Sequence, residues 1–287
     1  EVEAIEQRGL LAAAPRPGPS RLPGRVSLGR MERTHRHPHA EQTKALRLAP
    51  LEEAGEQHPF ASPGDIFVTE EGDFSICDTN NQQVVKLDQD LNLLLRLTKP
   101  TDETFDQSLA FLPTRMVADV TGRAFVLVRN MNKGLAKFEN DGEFTGFIGA
   151  MPVSYSITDQ IWRLLSTRQQ REQQASFVPT EFDNVYIDRK GFIYSVTTTF
   201  QEYDLIWDNA RPIRKLNAIG ADILVKNGEF PPIGELFWGT AAGYSGPSKF
   251  SDITVLDNEV YVALDRTRGR LFAYDDQGRN LWAFGGS

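Results

Sequence analysis

The sequence predicts an all-β fold, an array of four-stranded sheets over residues 59–287, preceded by a disordered low-complexity tail at 1–58. Three observations predict it. The order strand, tight turn, strand, Asx-type turn, strand, Asp/Gly turn, strand is written four times between Pro63 and Ser287. Pro63 to Gly72 and Pro113 to Gly122 have equal spacing, which marks true repetition. Every aromatic residue lies from Phe60 onward, so core-forming side chains are confined to the repeating part. A unit of four short strands cannot bury its own faces and must stack on copies of itself, which makes a β-propeller.

In the first copy Ile66 and Val68, then Phe74 and Ile76, alternate around Glu70-Glu-Gly-Asp73, a hairpin signal. Asp78-Thr-Asn-Asn81 supplies short polar side chains that bond nearby backbone and tolerate left-handed geometry. Val84 to Leu87 is the third strand, Asp88 to Asp90 turns the chain, and Leu91 to Leu97 is the fourth. The second copy has strands at 115–119, 124–128, 134–138 and 144–149. In the third, strands at 184–188 and 191–196 precede an insertion at 199–211, and strands at 213–216 and 222–225 follow it. The fourth copy opens at Ser251 and closes with Asn280-Leu-Trp-Ala-Phe-Gly-Gly286. One amphipathic helix is expected at about 156–174, with Ile157, Ile161, Leu164 and Leu165 on one face.

Residues 1–58 contain no Phe, Trp, Tyr, Asn or Asp and hold all four histidines. A segment with so little to bury cannot offset its chain entropy and reads as disordered, with helix formers at Glu41 to Glu56. His35, His37 and His39 alternate, but Arg36 and Pro38 interrupt them, as in a solvated tail.

The net charge of −8 argues against a broad nucleic-acid surface. A single cysteine, Cys77, excludes an internal disulfide framework and a Cys-rich zinc site. No apolar run approaches the roughly 20 residues of a membrane span. The absence of histidine from residues 59–287 removes a Ser-His-Asp triad, a His general base and His-ligated zinc from the repeats.

At Asp78-Thr-Asn-Asn-Gln-Gln-Val-Val-Lys-Leu-Asp88 the chain resembles the NHL repeat, whose core reads Asp-Thr-x-Asn-x-Arg-Val-x-x-Phe before an acidic turn. The fourth copy keeps Asp265, Arg270 and Tyr274; the second keeps Asn132 and Phe138 but has Arg129 and Gly134 at the Asp and Arg positions. The resemblance implies an NHL-type propeller, bacterial and extracytoplasmic or envelope-associated, in which Asp78, Asn81, Asp265 and Arg270 tie turns and brace neighbouring blades. Such propellers close with about six blades. Four legible copies then mean either that the chain is truncated after Ser287, the favoured alternative, or that weak strands hide in 40–60 and 98–112.

The function expected is non-catalytic: a scaffold binding a protein, peptide or glycan through its loop face, with no cofactor. Phe200, Tyr203 and Trp207 form an aromatic group on the insertion, suited to binding. Arg115, Arg129 and Arg214 are expected to line one face and meet an anionic ligand. The alternative is a gluconolactonase-like hydrolase holding a divalent cation such as calcium on the axis, with candidate ligands Glu181, Asp183, Asn184 and Asp252. Arg129, Arg266 and Arg268 would oppose that cation if they faced it. RNA binding, implied for some NHL propellers, is a second alternative that the acidic balance disfavours.

Overall fold

Successive side chains on a strand point to opposite faces, and in these repeats both faces are apolar. Ala124 to Val128 are all buried, so their sheet needs a neighbour on each side. The computed structural model describes residues 58–150, 182–198, 211–226, 232–236 and 246–286, and the backbone of 24–28, 48–53 and 56–58.

Strands β1 Gly24–Leu28, β2 Leu48–Glu53 and β3 Glu56–His58 pair as a three-stranded antiparallel sheet. They lie in the segment expected to be a disordered tail, and β2 and β3 fall within the 40–60 stretch considered for hidden strands. The first four-stranded sheet is β4 Pro63–Val68, β5 Phe74–Asp78, β6 Gln83–Leu87 and β7 Leu93–Leu97. The second is β8 Pro113–Ala118, β9 Ala124–Val128, β10 Leu135–Phe138 and β11 Phe144–Ile148. The third holds β12 Asn184–Ile187, β13 Ile193–Val196 and β14 Ile213–Leu216. The fourth is β15 Phe250–Val255, β16 Tyr261–Asp265, β17 Arg270–Tyr274 and β18 Asn280–Gly285.

Each of these four sheets is an antiparallel meander. β4 lies beside β8, β8 beside β12 and β12 beside β15, so the first strands share a common axis. This is a β-propeller arrangement of blades. Among the described residues the one helical element is the 3-10 turn Thr79–Asn81. The expected helix at 156–174 and most of the 199–211 hairpin lie outside the described residues, and the 98–112 linker carries no strand.

The core is divided among the junctions between blades. Cys77, Val84 and Leu97 of the first blade meet Met116, Val126, Val128 and Phe138 of the second, sealed by Phe105 and Phe111 from the linker. Val117, Phe125, Leu127 and Leu135 meet Val185, Ile193 and Leu216 of the third blade. Tyr194, Val196 and Ile213 meet Phe250, Tyr261, Phe272 and Tyr274 of the fourth. Each fully buried Leu or Phe contributes roughly 1.5–3 kcal/mol, so the junctions are the main source of stability.

One departure concerns the third blade. The strand expected at 222–225 reduces to a single bridge between Leu216 and Asp222. The Asp222 carboxylate explains it: Oδ1 accepts the N–H groups of Lys215 (3.2 Å) and Leu224 (3.1 Å), replacing a strand ladder.

The two ends of the blades differ. At the hairpin end, first strands turn into second strands and third into fourth. Asp88, Asp119, Asp188, Asn217 and Asp275 each accept backbone N–H bonds from residues two and four positions ahead, at 2.8–3.2 Å. A residue with positive φ completes each turn, as at Gly220, where a Cβ would stand 2.4 Å from the Gly149 nitrogen. Leu91 occupies that position in the first blade at φ 63°, a conformation that costs an ordinary residue about 1–2 kcal/mol. The opposite, loop end carries the start of every first strand.

Candidate functional site at the loop end of the axis

The first strands begin Pro63-Gly-Asp65, Pro113-Thr-Arg115, Phe182-Asp-Asn184 and Phe250-Ser-Asp252. In three of them the register with the second strand shifts at this point, between Pro63 and Asp65, Pro113 and Arg115, and Phe250 and Asp252. A bulge re-aims the side chain that follows it. The bulge in three blades, and the start of β12 in the third, bring one polar residue from each blade, Asp65, Arg115, Asn184 and Asp252, to equivalent positions beside the axis.

These four residues are held by strand backbone and by one another. Asp65 Oδ2 accepts the Met116 N–H at 3.1 Å, across the first blade junction. Arg115 Nη1 donates to the carbonyls of Gly64 (2.9 Å) and Thr114 (2.7 Å). Asn184 Nδ2 donates to Asp252 Oδ1 at 2.8 Å, while Asn184 Oδ1 accepts the Val185 N–H and Asp252 Oδ1 the Ile253 N–H. Burial pushes the Asp65 carboxyl above the usual carboxylate range. The Met116 N–H and the Arg115 guanidinium pull it down less strongly, and the charge of Asp252 pushes the same way as burial. The four side chains therefore form one coupled electrostatic group with two carboxylates, one guanidinium and one amide.

The rim around this group is tied down by buried carboxylates. Asp78 accepts the Ala61 N–H (2.7 Å), Asn81 Nδ2 (2.7 Å) and Gln83 Nε2 (3.1 Å). Thr79 Oγ1 donates to the Pro113 carbonyl at 2.6 Å, fastening the first blade to the second. Asp265 is fully buried and accepts Ser248 Oγ (2.8 Å) and the N–H groups of Lys249 (3.0 Å) and Thr267 (2.9 Å). Arg270 Nη1 meets Glu235 Oε2 at 2.7 Å.

Of the residues expected to bind or ligate, the structure brings Arg115, Asn184 and Asp252 together on the axis. The Asp183 carboxylate turns to the Thr198 N–H instead. Arg129 is exposed on the loop after β9. Arg214 is buried on β14, at the junction with the second blade. Phe200, Tyr203, Trp207 and Glu181 lie outside the described residues. Asp65 is the group member that sequence reasoning missed. Its signal was its place, third in the opening of the first strand, which it shares with Arg115, Asn184 and Asp252.

The Arg115 guanidinium acts on Asp65, and Asn184 and Asp252 are bonded to each other. Among the described residues no three His, Cys, Asp or Glu side chains cluster so as to hold a metal ion. Also among them, no helix is long and apolar enough to cross a membrane.

No family model matches the chain, and no curated protein matches it. Similar solved structures include a streptogramin B lyase at 14% identity and TM-score 0.45, covering 79% of this chain and 55% of that one. Virginiamycin B lyase from Staphylococcus aureus matches at 9% identity and TM-score 0.46, covering 85% and 60%. A protein from Lactobacillus plantarum matches at 14% identity and TM-score 0.45, covering 86% and 63%. The chain thus spans less than two thirds of the length of each. At this level of likeness none of them carries an activity over to this chain.

Proposed function

We propose that this chain is an NHL-type propeller acting as a non-catalytic platform, which binds a protein, peptide or glycan through its loop end. The observation that carries the reading is the pinned rim, where Asp78 and Asp265 hold loop backbone through short hydrogen bonds. Loops fixed in this way present side chains at little ordering cost, which favours recognition by a preformed surface. Phe200, Tyr203 and Trp207 on the inserted segment supply aromatic contact area of the kind that dominates binding energy. An extracytoplasmic or envelope-associated location belongs to the same reading, through the NHL resemblance.

Probing peptide and glycan arrays with the full chain and with a Phe200→Ala, Tyr203→Ala, Trp207→Ala triple variant tests this. Discrete ligands bound by the parent and lost by the variant are the expected result. Hydrolysis of lactones or aryl esters that needs calcium and is abolished by Asp252→Ala would replace the platform with a metal-dependent hydrolase. The pairing of Asn184 and Asp252 on the axis is the observation that keeps this second reading worth assaying.

A further inference from the structure

Ser195 on β13 and Arg214 on β14 stand directly opposite one another in the strand register. Opposed residues leave a sheet on the same face, with their Cβ atoms about 5 Å apart. Ile193 and Leu216 share this face and pack against Val117, Phe125, Leu127 and Leu135 of the second blade. Ser195 and Arg214 are therefore held at the junction of the second and third blades, 1% and 9% exposed. Even so, among the described residues Ser195 Oγ and Arg214 Nε have no hydrogen-bond partner.

The carboxylate acting on Arg214 is Asp222, and it is committed elsewhere. Its Oδ1 serves the N–H groups of Lys215 and Leu224, and its Oδ2 accepts Arg211 Nη1 at 3.0 Å. Burial lowers the pKa of Arg214. Asp222 opposes that shift, and Arg211 adds to it as a second positive charge nearby. A guanidinium nitrogen removed from water without an acceptor is a cost to folding. It becomes tolerable when a ligand supplies the missing charge and acceptors, and a planar fork of N–H donors fits carboxylate and phosphate oxygens.

We propose that Arg214 and Ser195 form a binding site for a small oxyanion, carboxylate or phosphate, at the junction of the second and third blades. The C-terminal end of β13 and the N-terminal end of β14 both face the loop end, so the site deepens the platform reading and rests on it. Arg214 supplies charge and paired donors, and Ser195 Oγ supplies one further donor. Arg211 raises the local positive potential from the exposed side.

Thermal unfolding of the full chain in chloride buffer of fixed ionic strength, titrated with inorganic phosphate or acetate, tests the site. A saturable rise in Tm with at least one of the two anions is expected, absent in Arg214→Met. Ser195→Ala should keep the response with a midpoint about fivefold weaker, the effect of one lost hydrogen bond. A response to phosphate alone assigns phosphate, one to acetate alone assigns carboxylate, and one to both assigns their shared chemistry. A parent chain indifferent to both anions overturns the site, as does an Arg214→Met response equal to that of the parent. If Arg214→Met does not fold, Arg214→Lys replaces it: a weakened response supports the site and an unchanged one overturns it. An anion response that persists while array binding fails would remove the platform and leave this site standing.

Discussion

The hairpin end and the loop end of the blades are built from the same residue types, yet they use carboxylates in opposite ways. At the hairpin end Asp88, Asp119, Asp188 and Asp275 each close a local turn, bonding backbone two and four residues ahead. At the loop end Asp65, Asp78 and Asp265 also reach residues 16 to 51 positions away, across strands and between blades. Asp119 illustrates the first mode. Burial alone would push its carboxyl up, but bonds from Thr121 and Arg123 outweigh that and hold it below the usual range. Asp65 illustrates the second, with burial prevailing over its partners. Bonds of the first kind fix one turn, whereas those of the second tie separate segments together.

Substitutions sharpen the contrast. The largest effect is expected for Asp265→Ala, which strands a buried hydroxyl and two backbone N–H groups and should cost about 3 kcal/mol or more in urea unfolding. A loss under about 1 kcal/mol would show that the loop end is not braced as described. Gly220→Ala comes next, at about 2 kcal/mol, because its positive φ and the approach to Gly149 disfavour any Cβ. Asp188→Ala should cost about 1 kcal/mol, since water replaces its partners at the half-exposed turn. An Asp188→Ala loss equal to that of Asp265→Ala would erase the difference between the ends.

The smallest effect concerns pH. The folded-state pKa of Asp65 is raised above its unfolded value, so the native state binds the proton more tightly than the unfolded one. Its contribution to stability therefore falls as pH rises from the unfolded value near 3.8 through the folded one. Asp65→Asn removes that decline, so its stability relative to the parent should climb across the window and then level off. A flat difference between the two unfolding curves from pH 3 to 7 would contradict the electrostatic account of the axis.

The blade architecture was legible in the sequence because period-two alternation and Asp/Gly turns are local signals. The strands Ala124–Val128 and Ile213–Leu216 fall where alternation and turn residues place them, while β8 starts at Pro113, two residues before the expected 115. β7 starts at Leu93 and not at Leu91, because the Asp88 turn extends through Asn92. The sheet of β1 to β3 was legible only as the alternative of weak strands in 40–60, since its segment offers no aromatic residue. The axial group was read in part. Arg115 is expected on an anion-binding face and Asn184 and Asp252 in one set of cation ligands, while Asp65 carries no signal of its own beside the strand pattern of Ile66 and Val68. Three of the four follow a bulge, and a bulge is set by pairing between strands. The unpartnered state of Arg214 is likewise a property of two blades together.

The bond from Thr79 to the Pro113 carbonyl has a consequence for how the molecule comes apart. It fastens one blade to the next and no further, as do the apolar clusters at each junction. Stability in such an array is a chain of nearest-neighbour couplings, so damage should spread by adjacency. Hydrogen exchange would then report β8, β9 and β10, whose side chains fill two junction clusters, as slow to open.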